Sequence, residues 1–227
     1  METIAERLKS ALESLEQANQ KANRAPNSVQ LLAVSKTKPV SDIVQAYEAG
    51  HRLFGENYVQ EGVEKIQALQ ELSDIQWHFI GPLQSNKTKL VAENFDWVQS
   101  VERAKIAQRL NDQRTPHKRL NVLIQVNINA EESKAGVLPE DVDDLANLVK
   151  SLPNLKLRGL MAIPNAAQNE EQLMQTFLQM KALYTQLRQN YSSVDTLSMG
   201  MSNDMQQAVL AGSTMVRVGT AIFGART

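Results

Sequence analysis

No cysteine occurs among the 227 residues, so the chain has no disulfide framework, no thiolate nucleophile and no thiolate metal site. Charge of one sign is also missing: 24 basic residues stand against 25 acidic ones, for a net charge of −1. That balance argues against nucleic acid or an anionic membrane as a partner. No apolar run approaches the roughly 18 residues that a transmembrane helix needs. The opening segment, Met1-Glu2-Thr3-Ile4-Ala5-Glu6-Arg7-Leu8, is acidic from the start and does not read as a secretory signal. Neither Gly-x-Gly-x-x-Gly nor Gly-x-x-x-x-Gly-Lys-Ser/Thr is present, which removes the usual nucleotide loops. The three histidines, His51, His78 and His117, lack metal-ligand spacing, and no metal is expected. Glycine/serine linkers and low-complexity segments are absent too. The expectation is a soluble, cytoplasmic protein folded as one domain over residues 1–227, with no appended domain.

What the chain does have is an ordinary globular composition, 42% hydrophobic and 22% charged, and a pattern that repeats. Residues 2 to about 24 carry Ile4, Leu8, Ala11, Leu12 and Leu15 at helical spacing. Strand-like and helical stretches then alternate. The expected strands are Leu31–Lys36, Arg52–Asn57, Ile75–Gly81, Trp97–Val101, Leu120–Asn127, Leu155–Pro164, Thr196–Met201 and Met215–Val218. The expected helices between them are Ser41–Gly50, Tyr58–Leu69, Gln84–Asn94, Glu102–Gln113, Pro139–Leu152, Glu170–Tyr191 and Met205–Gly212. A last turn is expected within Ala221–Thr227. Alternation of this kind implies a parallel sheet. Eight units in this length suit a closed (β/α)8 TIM barrel with the extra N-terminal helix over one end. A doubly wound open sheet is the alternative.

In such a barrel the functional rim lies at the C-terminal ends of the strands. Lys36 ends the first strand, after four apolar residues, where a desolvated ammonium must be paired or lose its proton. Asn57 ends the second. Arg217 stands inside the apolar strand Met215–Val218 and calls for either a carboxylate from another strand or a ligand atom. Ser202-Asn203-Asp204 and Gly219-Thr220 open the segments after strands seven and eight, and the first of these reads as a helix N-cap. Loops at those two places commonly hold phosphate, so a phosphorylated ligand is expected. Met199, in the methionine-rich stretch Met199–Met205, reads as soft packing beside a flat ligand or in the core. His78 reads as a hydrogen-bonded core histidine, and Lys134 as a solvated loop lysine.

A lysine, an arginine and two phosphate-binding turns on one rim point to an imine between Lys36 and a phosphorylated carbonyl compound, with Lys38 and Arg217 lowering the amine's pKa. Pyridoxal 5′-phosphate and a sugar phosphate in a lysine-dependent aldolase both fit that chemistry. Five segments carry a resemblance that separates them: Ala33–Pro39, Phe54–Asn57, His78–Lys87, Leu197–Asp204 and Val216–Gly224. Together they resemble the signatures of the pyridoxal-phosphate homeostasis proteins (the YggS/PROSC family), from the first strand to the C-terminus. The resemblance implies a barrel similar to the N-terminal domain of alanine racemase. It implies pyridoxal phosphate held as an imine by Lys36, with Asn57 beside the cofactor, Arg217 at the pyridine nitrogen, and Ser202, Gly219 and Thr220 on the phosphate. Met199 is counted with these cofactor-binding residues. It further implies a monomeric carrier or regulator of the cofactor supply in vitamin B6 homeostasis, without established turnover. Pyridoxal-phosphate-dependent apoenzymes are the recipients to be considered. A racemase-like enzyme is the alternative activity.

Overall fold

Eight parallel strands close into a barrel in chain order: β1 (Gln30–Val34), β2 (Leu53–Glu56), β3 (Gln76–Phe79), β4 (Trp97–Val101), β5 (Leu120–Gln125), β6 (Leu155–Met161), β7 (Thr196–Met201) and β8 (Met215–Val218). The computed structural model describes residues 2–225. The helices are α1 (Ile4–Lys21), α2 (Val40–Glu48), α3 (Val59–Ala68), α4 (Thr88–Asn94), α5 (Ala104–Gln113), α6 (Val142–Ser151), α7 (Glu170–Asn190), α8 (Met205–Ala211) and α9 (Thr220–Phe223). The (β/α)8 barrel is thus the observed fold, and the open-sheet alternative falls because β8 pairs with β1, from Gln30 opposite Met215 to Ala33 opposite Val218.

Several elements are shorter than the apolar pattern implies. β1 stops at Val34, β2 at Glu56, β3 at Phe79 and β6 at Met161, so Lys36, Asn57, Gly81 and Pro164 lie in turns beyond the sheet. Two expected helices begin with single 3-10 turns, Ser85–Lys87 and Pro139–Asp141. The final turn forms at Thr220–Phe223, while Arg226 and Thr227 lie outside the described residues. Two long helices start on reciprocal caps, Thr3 with Glu6 and Asn169 with Gln172, each satisfying two backbone donors that a helix start leaves open.

The N-terminal helix does not sit over one end. It packs beside α2, α8 and the single turn α9, burying Ile4, Leu8, Ala11 and Leu15. The physical reason is that α9 is one turn long and leaves a gap in the helical ring, which α1 fills. A fully buried leucine contributes about 1.5–3 kcal/mol, so Leu8 and Leu15 alone justify the docking. Arg7 Nε also donates to the Ile222 carbonyl at 2.6 Å, and Arg24 donates to the Val209 carbonyl at 3.1 Å.

The barrel interior holds a polar chain as well as apolar side chains. Arg217 on β8 donates to Ser198 Oγ on β7 at 2.7 Å, and Ser198 donates to Gln99 Oε1 on β4 at 2.7 Å. Gln99 Nε2 lies 3.0 Å from His78 Nδ1 on β3. Strands β4 and β7 are not neighbours, so these contacts cross the inside of the barrel. Trp97, Leu123 and Met161 form a small apolar cluster, and Trp97 stacks on His78 with centroids 4.9 Å apart.

Candidate functional site

The residues singled out from the sequence come from four successive strands around the seam where the barrel closes: β7, β8, β1 and β2. Lys36 sits in the turn after β1, half-buried, and the next residue, Thr37, adopts a left-handed φ of 63°. Gly219 follows β8 directly across from Val34. A Cβ built on it would stand 3.2 Å from the Val34 carbonyl oxygen, so any side chain would crowd the strand that carries the lysine turn. Thr220 and Ser202 are exposed on the same rim. Asn57 is half-buried after β2, and Gly81 packs so closely on its backbone that a Cβ there would meet the Asn57 carbonyl at 2.1 Å. Met199 is fully buried in the main apolar cluster.

Arg217 is buried, at 5% exposure, and donates to two uncharged groups: Ser198 Oγ, and the Ala162 carbonyl 2.9 Å from its other terminal nitrogen. Glu56, the carboxylate that ends β2, pairs instead with Lys65 at 2.8 Å. Burial therefore pushes the guanidinium down to about 10, with Asp204 opposing the shift. A guanidinium has five N–H donors, so these two bonds leave it capacity for a ligand.

Asp204 differs from its expected role. It occupies the N-cap position of α8, but its side chain makes no capping bond and instead accepts from the Met201 amide. Burial raises its pKa, while the Met201 hydrogen bond and Arg217 hold it down. Lys134 is not a solvated loop lysine. It is half-buried, donates to the Pro164 carbonyl at 3.2 Å and pairs with Glu131 at 2.9 Å. Asn127 holds the same loop by bonding the Glu131 carbonyl at 2.8 Å and accepting from the Glu131 amide at 3.1 Å. Lys38 is turned toward the C-terminal segment, where it donates to the Ala225 carbonyl at 2.7 Å.

His78 is wholly buried, and desolvation followed by the Arg158 charge holds its pKa at about 3. A histidine depressed in the fold stabilises the protein above its ordinary value of 6.5 and loses that contribution as pH falls toward 3. Relative to wild type, His78→Gln is expected to flatten the acid limb of stability. The difference in unfolding free energy between them should change by up to about 1.4 kcal/mol per pH unit across that window. Urea titrations at pH 7, 6, 5 and 4 measure it, and parallel curves would rule it out.

Two observations bear on what this rim can hold. Asn57 Oδ1 is buried with no hydrogen-bond partner among the described residues, an orphan of the kind a ligand satisfies. The donor set also combines an amine (Lys36), a guanidinium (Arg217), two hydroxyls (Ser202 and Thr220) and an uncovered glycine backbone (Gly219). Those groups suit an anionic, carbonyl-bearing ligand. Among the described residues no group of histidine, aspartate and glutamate side chains has metal-site geometry. No described helix is long and apolar enough to cross a membrane.

The chain matches the family model described as alanine racemase, N-terminal domain, over residues 8–227. It is 57% identical over 228 residues to the pyridoxal phosphate homeostasis protein of Pasteurella multocida, covering 99% of this chain and 98% of that one. PipY of Synechococcus elongatus, in a structure with pyridoxal phosphate bound, superposes with a TM-score of 0.82 and 36% identity, covering 98% of this chain and all of PipY. The alanine racemase of Corynebacterium glutamicum shares the fold at a TM-score of 0.71 and 14% identity, covering 96% of this chain and 62% of the racemase.

Proposed function

This chain belongs to the pyridoxal phosphate homeostasis protein family, and from that premise we propose that it binds pyridoxal 5′-phosphate on the β7–β8–β1–β2 rim, with Lys36 joined to the cofactor as an imine. Bound there, the cofactor supplies an electrophilic aldehyde and a phosphate dianion. Lys36 is the amine that takes the aldehyde. Ser202, Thr220 and the Gly219 backbone hold the phosphate, Arg217 donates to the ring nitrogen, and the Asn57 side chain fills the rim beside the ring. Met199 backs the site as buried apolar packing. The observation that carries this reading is the strand register: Leu32 lies opposite Arg217 and Ala33 opposite Val218, so the lysine turn and the buried guanidinium belong to adjoining strands.

Arginine at the ring nitrogen works against protonation of that atom and so weakens the ring as an electron sink. We therefore read the protein as a monomeric, cytoplasmic holder that releases the cofactor to apoenzymes rather than as a racemase. The purified protein with one equivalent of pyridoxal phosphate should turn yellow. After borohydride reduction, peptide mapping should place the label on Lys36, and no common amino acid should be racemised or transaminated at enzyme-like rates. A label found mainly on another lysine, or one substrate turned over at several per second, would remove the corresponding half of the reading.

A further inference from the structure

Lys36 stands on a turn that is held from behind. Lys65, on α3, is only 5% exposed and spends its three ammonium donors on three oxygens: the Ser35 carbonyl at 2.8 Å, Glu56 Oε1 at 2.8 Å and Glu61 Oε1 at 2.6 Å. The Ser35 hydroxyl donates to the same Glu56 oxygen at 2.6 Å. On the other side of the lysine, the Thr37 amide donates to the same Glu61 oxygen at 2.6 Å. The Ser35 amide is fixed to the Gly55 carbonyl at 3.0 Å, and the Lys38 amide returns to the Ser35 carbonyl at 3.1 Å. The residues immediately before and after Lys36 are thus both tied to a single buried ion cluster.

A purely structural explanation fits this arrangement poorly. Burying a carboxylate such as Glu56, at 0% exposure, is costly and stabilises a fold little better than an apolar pair would. Thr37 is held at a positive φ that a β-branched residue adopts only under strain. Strain and buried charge around one lysine make sense if the direction of that lysine is what the cluster secures.

We propose that Lys65, Glu56 and Glu61 are positioning residues that fix the Ser35–Lys38 turn so that the Lys36 amine meets the cofactor's aldehyde. This rests on the function proposed above. The cluster acts through the backbone on either side of Lys36 and touches no cofactor atom itself. It should therefore matter for a ligand that bonds to the lysine and be nearly silent for one that cannot.

Glu61 is the informative position, because it is partly exposed and its removal strands no charge in the core. In Glu61→Ala the dissociation constant of pyridoxal phosphate should rise about tenfold, while that of pyridoxine 5′-phosphate, which lacks the aldehyde, should stay within about twofold of wild type. Glu61→Gln, which keeps an oxygen for the Thr37 amide, should restore most of the loss. Equal weakening of both ligands would overturn the proposal by making the cluster merely structural, and so would no change in either. Wild type failing to form any Lys36 adduct would instead overturn the cofactor reading on which the proposal rests, and borohydride mapping of wild type separates that outcome from the others.

Discussion

Lys36→Ala should lose covalent retention outright: at one equivalent of pyridoxal phosphate, borohydride labels wild type stoichiometrically and leaves the variant unlabelled. The expectation follows from where the other nearby ammonium groups are committed. Lys38 is bonded to the Ala225 carbonyl, Lys134 to the Pro164 carbonyl and Glu131, and Lys65 to three oxygens in the core. Lys38 leaves the same turn as Lys36 but is directed to the C-terminal segment, and each of the three would have to break its present contacts to stand in. Affinity should fall on the order of a hundredfold or more, equivalent to about 2.7 kcal/mol. Weaker binding through Arg217, Ser202 and Thr220 should persist and be detectable by equilibrium dialysis. Full labelling of Lys36→Ala under these conditions would contradict the assignment of the lysine.

Lys65→Met should cost about 3–5 kcal/mol of stability, because it leaves Glu56 as an uncompensated carboxylate at 0% exposure. The pH dependence gives the mechanism away. Burial already raises the Glu56 pKa above its ordinary 4.5 and Lys65 pulls it back, so removing the lysine raises it further. A carboxyl whose folded pKa is raised contributes stability at acid pH and loses it as pH climbs through the folded value. The deficit of Lys65→Met should therefore be greatest near pH 8 and shrink toward pH 5, and Lys65→Met/Glu56→Gln should recover most of it at pH 8. Urea unfolding at both pH values reads this directly. A deficit independent of pH would show that lost packing, not an orphaned charge, is responsible.

The repeating strand–helix pattern was legible because each strand is an apolar run bounded by polar residues, and eight of them in 227 residues leave few alternatives. The rim was legible for the same reason: Lys36, Asn57, Arg217 and Gly219 interrupt or end apolar runs. What the sequence concealed was pairing across space. Lys65 and Glu61, four residues apart on α3, look like a solvated pair on a helix face. Only the packing of α3 against β2 reveals that Lys65 reaches Glu56 and the Ser35 carbonyl. Gln99 and Ser198 sit on opposite sides of the barrel, and no periodicity links a residue of β4 to one of β7. Their one visible signal was polarity inside otherwise apolar strands. Asp204 looked like a helix cap because aspartate favours that position. Its side chain satisfies the Met201 amide instead, a choice of partner that local sequence does not encode.

The pairing of β1 with β8 also bears on how the protein is made. Lys36 follows the first strand and Arg217 lies on the last, so the two come together only when the sheet closes on itself. Every other strand pairs with its neighbour in sequence, and this closure is the strand pairing of longest range, the kind that slows folding. A nascent chain that has released β1 to β7 carries the lysine but no complete cradle. A ligand bound across that junction is bound by closed barrels alone and draws the population toward them by mass action. The cofactor would then act for this protein as a late folding aid, holding the first strand to the last.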